Sequence, residues 1–251
     1  MKRALIILLI ILIPTILIAA PSAAQIMDKV LDTQKADTAA LDLKLTLIEA
    51  NGTQRERRIQ TLSQTVDGKT SMITVFLSPE SVKNTRFLSV EGKSGTEQWI
   101  YLPALKRVRK ISASEEGGSF MGSDFSYTDM ASTTYDADEA NHRLLEETTE
   151  VYIVESIPKK ATSYGKNIAT VDKKTFLPLK VEFYDLDQKT LLKTLTTVEI
   201  AYVGSRPITK VIEMKTVATG HATRLEMMQV RYDTPIPSGY FTTRFLETGR
   251  L

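Results

Sequence analysis

The chain has 251 residues, 32 Lys and Arg against 30 Asp and Glu, and no cysteine. A nearly neutral chain of this length fits one large domain and lacks the net basic charge that marks a nucleic-acid-binding domain. Without cysteine the protein has no disulfide and no lipoprotein-type acyl anchor, so burial of apolar side chains must stabilise its fold.

The first 24 residues have the pattern of a secretory signal peptide. Lys2 and Arg3 precede an unbroken apolar run over residues 4–13, and Ser22-Ala23-Ala24 offers a small-x-small cleavage site. We therefore predict cleavage after Ala24, export of the protein and one mature domain over residues 25–251. The alternative is an uncleaved signal that anchors the protein to the inner membrane, because the apolar run is about long enough for a marginal span.

The residues after the signal change from helical to strand periodicity. Residues 25–36 place apolar side chains at helical spacing and predict a short amphipathic helix. From Leu41 to Leu47 leucines alternate with other residues, which is the period of a strand, and Asn51-Gly52 is a strong hairpin signal. The same alternation, interrupted by turn residues, continues to Tyr232 and predicts about eleven strands.

So many strands joined by short turns predict a mainly β fold. A sheet of about eleven strands must curl, close or split. Helices are few: the sequence indicates the N-terminal one, another over Asp124–Ala131 and a short piece near Tyr240-Phe241, with a turn over Ser78–Val82. We expect a large curved antiparallel sheet, an unclosed half-barrel, with a few helices forming a lid on its concave side.

Residues 117–130 combine the glycines of a loop with large apolar side chains. Surface loops are normally polar, so such a segment either packs into its own domain or meets an apolar partner. We predict that it is a gate over the concave face. Its candidate ligand contacts are Phe120, Met121, Phe125, Tyr127 and Met130.

Two further candidate contacts precede this segment. Trp99 and Tyr101 alternate with Ile100 on a strand that is apolar on both faces, so they belong either to the core or to the wall of a cavity. Arg107 and Arg109 follow in the one basic cluster. They either protect a charged edge strand from association or contact an acidic head group or partner.

The catalytic patterns are absent or incomplete, and we predict that the protein is not an enzyme. His142 and His221 lie far apart in the chain, with no cysteine or second histidine nearby to complete a zinc site. The sequence contains no Gly-x-Ser-x-Gly elbow, phosphate loop or dinucleotide fingerprint. We therefore expect neither a metal nor a cofactor.

Several blocks of the chain resemble the outer-membrane lipoprotein-sorting, or LolA-like, periplasmic proteins. The most specific are Gln98-Trp99-Ile100-Tyr101-Leu102-Pro103-Ala104-Leu105 and Gly122-Ser123-Asp124-Phe125-Ser126-Tyr127. Weaker matches follow, in order, at residues 184–187, 192–195, 219–221 and 241–246. The chain departs from the pattern after Tyr127, where Thr128 stands in place of a frequent acidic residue.

The resemblance implies a helix-capped half-barrel with an apolar cavity for acyl chains. It implies a periplasmic, monomeric carrier of lipoprotein or lipid, with an inner-membrane exporter of the resistance-nodulation-division (RND) type and an outer-membrane acceptor as partners. The alternative is a lipid or lipoprotein sensor, or an accessory module of such an exporter, that binds without transporting. Delivery of labelled lipid between vesicles separates the two, and an envelope hydrolase is a third, weaker hypothesis because site motifs are missing.

Overall fold

One antiparallel sheet of thirteen strands makes up most of the computed structural model, which describes residues 20–92, 95–131, 137–160 and 163–251. The strands are β1 (Thr38–Ile48), β2 (Gln54–Val66), β3 (Lys69–Ser78), β4 (Arg86–Glu91), β5 (Thr96–Leu102), β6 (Arg107–Lys110), β7 (Ala140–Glu147), β8 (Val151–Pro158), β9 (Lys166–Asp172), β10 (Pro178–Tyr184), β11 (Leu191–Val203), β12 (Arg206–Thr216) and β13 (Ala222–Tyr232). The predicted mainly β, unclosed antiparallel sheet is confirmed, with thirteen strands in place of about eleven.

The strand order positions the candidate site. It runs β6-β5-β4-β3-β2-β1-β13-β12-β11-β10-β9-β8-β7, so β6 and β7 are consecutive in the chain but lie at opposite edges of the sheet. The polypeptide between them must therefore cross the sheet from one edge to the other. The pairing of β1 with β13 joins the two halves of the sheet, with Leu45 opposite Leu225.

The N-terminal helix α1 (Ala23–Gln34) closes one half of the concave face. Ser22 caps it, since the Ser22 hydroxyl accepts from the Gln25 amide at 3.2 Å and the Gln25 side chain accepts from the Ser22 amide at 2.8 Å. This cap explains why the helix begins two residues before the predicted position. The predicted cleavage position after Ala24 falls inside its first turn, and residues 1–19 of the predicted signal lie outside the described residues.

Two further α-helices in the described part of the chain are short. Helix α2 (Tyr127–Ala131) is shorter than predicted, and α3 (Thr243–Thr248) follows a 3-10 turn over Ser238–Phe241. Helices α1 and α2 lie on the concave side, whereas α3 packs on the opposite face against Ile73 and Leu88. Among the residues described, no helix has the length and apolarity needed to cross a bilayer.

The concave face carries two apolar clusters. The β1–β5 cluster is built around buried side chains that include Leu45, Ile59, Phe76, Phe87 and Ile100. The β8–β12 cluster joins α1 to buried side chains that include Val154, Val171, Val181, Phe183 and Met214. Met130 and Leu225 pack against both clusters, which makes the concave face one continuous apolar surface.

Candidate functional site

The chain that leaves β6 crosses the concave face, and we call residues 111–131 the crossing segment. Its middle is a small hairpin, in which the Phe120 amide donates to the Phe125 carbonyl at 2.8 Å and the Tyr127 amide to the Gly118 carbonyl at 3.2 Å. Met121 and Gly122 form the tip with φ of +53° and +76°. Two successive residues with positive φ reverse the chain tightly, and glycine is the residue best suited to that conformation.

The apolar side chains of the crossing segment fill both clusters. Phe120 is 0% exposed, with its ring centroid 5.8 Å from that of Phe76 and 5.1 Å from that of Phe87. Tyr127 meets Phe120 edge to face at 5.6 Å in the same β1–β5 cluster. Phe125 is 2% exposed and belongs to the β8–β12 cluster. Of the two alternatives for this segment, the structure shows packing into its own domain.

Asp124 anchors the crossing segment to the middle of the sheet. Its buried carboxylate accepts from the Thr216 hydroxyl at 2.5 Å and from the Thr223 hydroxyl at 2.7 Å. The carboxylate also lies 2.6 Å from Nδ1 of His221, whose Nε2 lies 3.9 Å from Glu49. These partners belong to the β12–β13 hairpin, so one side chain ties the segment to both strands.

Asp129 forms a second anchor, toward β11 and the turn before β9. Its carboxylate side chain is 1% exposed and accepts from the Tyr164 hydroxyl at 3.0 Å and from the Ser126 amide at 2.7 Å. Lys193 compensates the buried charge, with Nζ 3.4 Å from a carboxylate oxygen. A buried carboxylate is tolerated only where it is paired and hydrogen-bonded, and this one is both.

Three side chains on the β1–β6 half hold the segment mainly by its backbone. Arg57 donates to the Met121 carbonyl at 2.6 Å, and Gln98 donates to the Tyr127 carbonyl at 2.9 Å. Partial burial lowers the pKa of Arg57, and the nearby charge of Arg55 acts in the same direction. Arg109 pairs with the Glu115 carboxylate near the start of the segment.

Glu115 organises the first turn of the crossing segment. Hydrogen bonds from the backbone and side chain of Ser112, followed by the contact with Arg109, lower the pKa of Glu115 to about 2. The Ser112 amide donates at 3.0 Å and its hydroxyl at 2.8 Å. The turn therefore depends on the ionised carboxylate.

The structure brings some of the predicted contact residues together and separates others. Phe120, Met121, Tyr127 and Met130 meet in the β1–β5 cluster, and Phe125 lies in the other cluster on the same face. Trp99 and Tyr101 point to the opposite face and pack against the cluster that contains Phe245 and Leu246 of α3. Arg107 is exposed, and Arg109 faces Glu115. The role of all these side chains in ligand binding stays a prediction.

Several features of the site were not predicted from the sequence. The anchoring roles of Asp124, Asp129 and Lys193 were not predicted, although Asp124 lies in the block over residues 122–127 and Lys193 within residues 192–195. The methionines do give a signal in the sequence. The chain has eight, and six pack in or against the two concave clusters, namely Met27, Met72, Met121, Met130, Met214 and Met227. Methionine is unbranched and polarizable, so a surface rich in it can repack around apolar ligands of different shape.

Two open clefts lie away from the middle of the crossing segment. One of about 450 Å³ is lined by the end of α1 and by the turns that precede β10 and β12. The other, of about 340 Å³, is lined by residues of β5, β6 and the start of the crossing segment. Under the middle of the segment the concave face is occupied by the protein's own side chains, so an acyl chain could enter only if they moved.

Comparison with known proteins gives the following similarities. A family model described as that of an uncharacterized-protein-like family matches residues 68–248. The chain is 29% identical to an outer membrane lipoprotein-sorting protein domain from Vibrio parahaemolyticus, with a TM-score of 0.82 over 90% of this chain and 98% of that one. It is 25% identical to a DUF1329 family protein from Desulfovibrio piger, with a TM-score of 0.83 over 90% and 100%.

A third solved structure supports the fold alone. This is a LolA superfamily protein from Nitrosomonas europaea, with 20% identity and a TM-score of 0.73 over 90% of this chain and all of that one. No curated protein matches the chain.

Proposed function

Because this chain belongs to the LolA-like, outer-membrane lipoprotein-sorting proteins, we propose that it is a periplasmic carrier that holds acyl chains on its concave face. The cargo is a lipoprotein or another lipid, received at the inner membrane from an RND-type exporter and moved towards an outer-membrane acceptor. One observation carries this proposal. A continuous apolar face is covered by a segment that polar side chains and its own few aromatic residues hold in place, and its one backbone hydrogen bond to a described strand is at its start, from the Ile111 amide to the Gln98 carbonyl at 2.8 Å.

Such a cover can separate from the sheet at moderate cost. Burial of an acyl chain contributes about 0.8 kcal/mol per CH₂, so a chain of about fifteen carbons gains on the order of 10 kcal/mol gross. Displacing Phe120 and Phe125 costs about 1.5–3 kcal/mol for each side chain. The adaptable methionines of the two clusters would then line the space that the aromatic side chains leave.

Two neighbouring residues of β13 provide a matched test. Met227 packs against the β1–β5 cluster, whereas Met228 is 44% exposed. Met227→Glu places a carboxylate beside the proposed path of the acyl chain, and Met228→Glu adds the same charge outside it. Transfer of a fluorescent lipid from donor to acceptor vesicles should fall at least tenfold in the first variant and stay unchanged in the second. Thermal unfolding of both variants checks that the fold is retained.

The purified protein gives the direct test. Lipid extraction followed by mass spectrometry should detect acyl chains bound to protein isolated from the cell envelope. A protein that binds no lipid from the envelope or from vesicles is not a carrier. A protein that binds labelled lipid but never delivers it would instead be a sensor or an accessory module of an exporter.

A further inference from the structure

The open cleft of about 450 Å³ at the C-terminal end of α1 has the chemistry of an anion site with an apolar wall. Arg206, Lys174 and Ser205 supply polar groups, and Phe176 and Tyr202 supply aromatic surface. Tyr202 is 63% exposed, so much of its ring is open to a ligand. We infer that this cleft binds the anionic head group, a phosphate or carboxylate, of an amphiphile whose tail lies on the concave face. The inference rests on the proposed carrier function.

The Arg206 guanidinium has two contacts within the protein and one hydrogen-bond donor without an acceptor. Its Nη2 donates to the Lys35 carbonyl at 2.7 Å, and its guanidinium carbon lies 4.6 Å from the ring centroid of Tyr232. Its Nη1 is buried and has no hydrogen-bond partner among the residues that the structure describes. A buried donor without an acceptor is costly, and a guanidinium recognises a phosphate or carboxylate through parallel hydrogen bonds. Arg206 lines the cleft, so an anion that reached its guanidinium from there would satisfy this donor.

The charges around the cleft favour an anion. Lys174 lines it, and its ammonium makes no hydrogen bond or ion pair within the described ranges. Asp32 is the one carboxylate of the lining, and Lys35 pairs with it at 3.0 Å. Arg206 and Lys174 therefore leave a net positive charge, and the attraction must weaken as salt increases.

Phe176 connects the cleft to the concave face. Its ring lines the cleft and also packs against the β8–β12 cluster, where it stacks on Tyr152 at 6.4 Å. The neighbouring Thr175 carbonyl accepts from Thr33 of α1 at 3.4 Å, which is a long hydrogen bond between the helix and this turn. An amphiphile that places its head group beside Arg206 could pass its tail between α1 and the turn into the apolar cluster.

Arg206 also has a structural role, because it binds the carbonyl at the C-cap of α1. Lys174 has no such role, so its substitution tests the site without disturbing the fold. Lys174→Gln should weaken binding of lysophosphatidylglycerol about two- to fivefold at low salt, as expected for a single exposed charge contact. Arg206→Gln should weaken it about tenfold or more through the lost charged hydrogen bond. Lys83→Gln, at the other end of the sheet, makes the same change in net charge and should have no effect.

Three probes in the binding assay separate the possible results: lysophosphatidylglycerol, a monoacylglycerol with the same acyl chain, and inorganic phosphate. We expect the anionic lipid to bind at least tenfold more tightly than the neutral one, and Arg206→Gln to abolish that difference. Equal binding of the two lipids would overturn the head-group site and leave the carrier function standing. If inorganic phosphate binds as tightly as the anionic lipid, the ligand is not an amphiphile, because the acyl tail contributes nothing to binding. Failure of both lipids to bind would overturn the carrier function itself.

Discussion

The Asp124 anchor predicts that the crossing segment opens as a unit separate from the sheet. Asp124→Asn keeps the shape of the side chain but replaces one acceptor oxygen by a donor, while Thr216, Thr223 and His221 all approach it as donors in the native arrangement. At least one charged hydrogen bond is lost and one buried donor faces another. Each such hydrogen bond contributes about 1.5–3 kcal/mol. We therefore expect closure of the segment to weaken by about 2–3 kcal/mol.

Native-state hydrogen exchange measures this effect residue by residue. A loss of about 2–3 kcal/mol raises the exchange rate of the hairpin amides of Phe120 and Tyr127 by roughly 30- to 150-fold. Amides in the central strands β1 and β13 should change much less, because they exchange through global unfolding. Asp28→Asn, on the exposed face of α1, is the matched control. If the hairpin and the central strands accelerate by the same factor, the segment is an inseparable part of the core and no cover exists.

The remaining predictions concern acid stability and one glycine. Hydrogen bonds from Ser112 lower the pKa of Glu115 from 4.5 to about 2. They therefore stabilise the fold above pH 4.5, and this contribution disappears as the pH falls from 4.5 towards 2. Glu115→Gln should remove that acid dependence from hydrogen exchange in the segment. Gly249→Ala should destabilise α3 by more than the roughly 1–2 kcal/mol that an alanine in the left-handed conformation costs, because its Cβ would lie 2.5 Å from Nη1 of the buried Arg86. Gly204→Ala is the control: its φ is +63° but its Cβ would meet open space, so it should cost only that conformational free energy. Urea unfolding of both variants measures the difference.

The strands could be predicted because the side-chain pattern of a strand repeats every two residues within its own sequence. Leucines at every second position from Leu41 to Leu47 define β1 without reference to any other strand, and the hairpin turns follow from local residues. The partner of β1 on its other side is β13, which is far away in the chain. No local pattern reports such a pairing, so the strand order, and with it the path of the crossing segment, needed the structure.

The faces of β5 show why contact residues were harder to predict. Trp99 and Ile100 are both apolar because the strand is covered on both sides, by Phe87 and the β1–β5 cluster on one and by α3 on the other. Alternation identifies an inner face only when the outer face is polar. The C-terminal helix α3 covers the outer face and removes that contrast. The sequence therefore left open whether the odd- or the even-numbered residues of β5 face the concave side.

The same packing suggests how a carrier of this kind could release what it binds. Opening the crossing segment gives up the burial of Phe120 and Phe125, about 3–6 kcal/mol together. Breaking the anchors at Asp124 and Asp129 adds about 1.5–3 kcal/mol for each charged hydrogen bond lost without replacement. With one such bond lost at each anchor, the total is about 6–12 kcal/mol, a range that includes the gross gain of about 10 kcal/mol from one buried acyl chain. The segment therefore competes with the cargo for one apolar face at nearly equal free energy, and a modest bias from a donor or acceptor protein would be enough to reverse the direction of transfer.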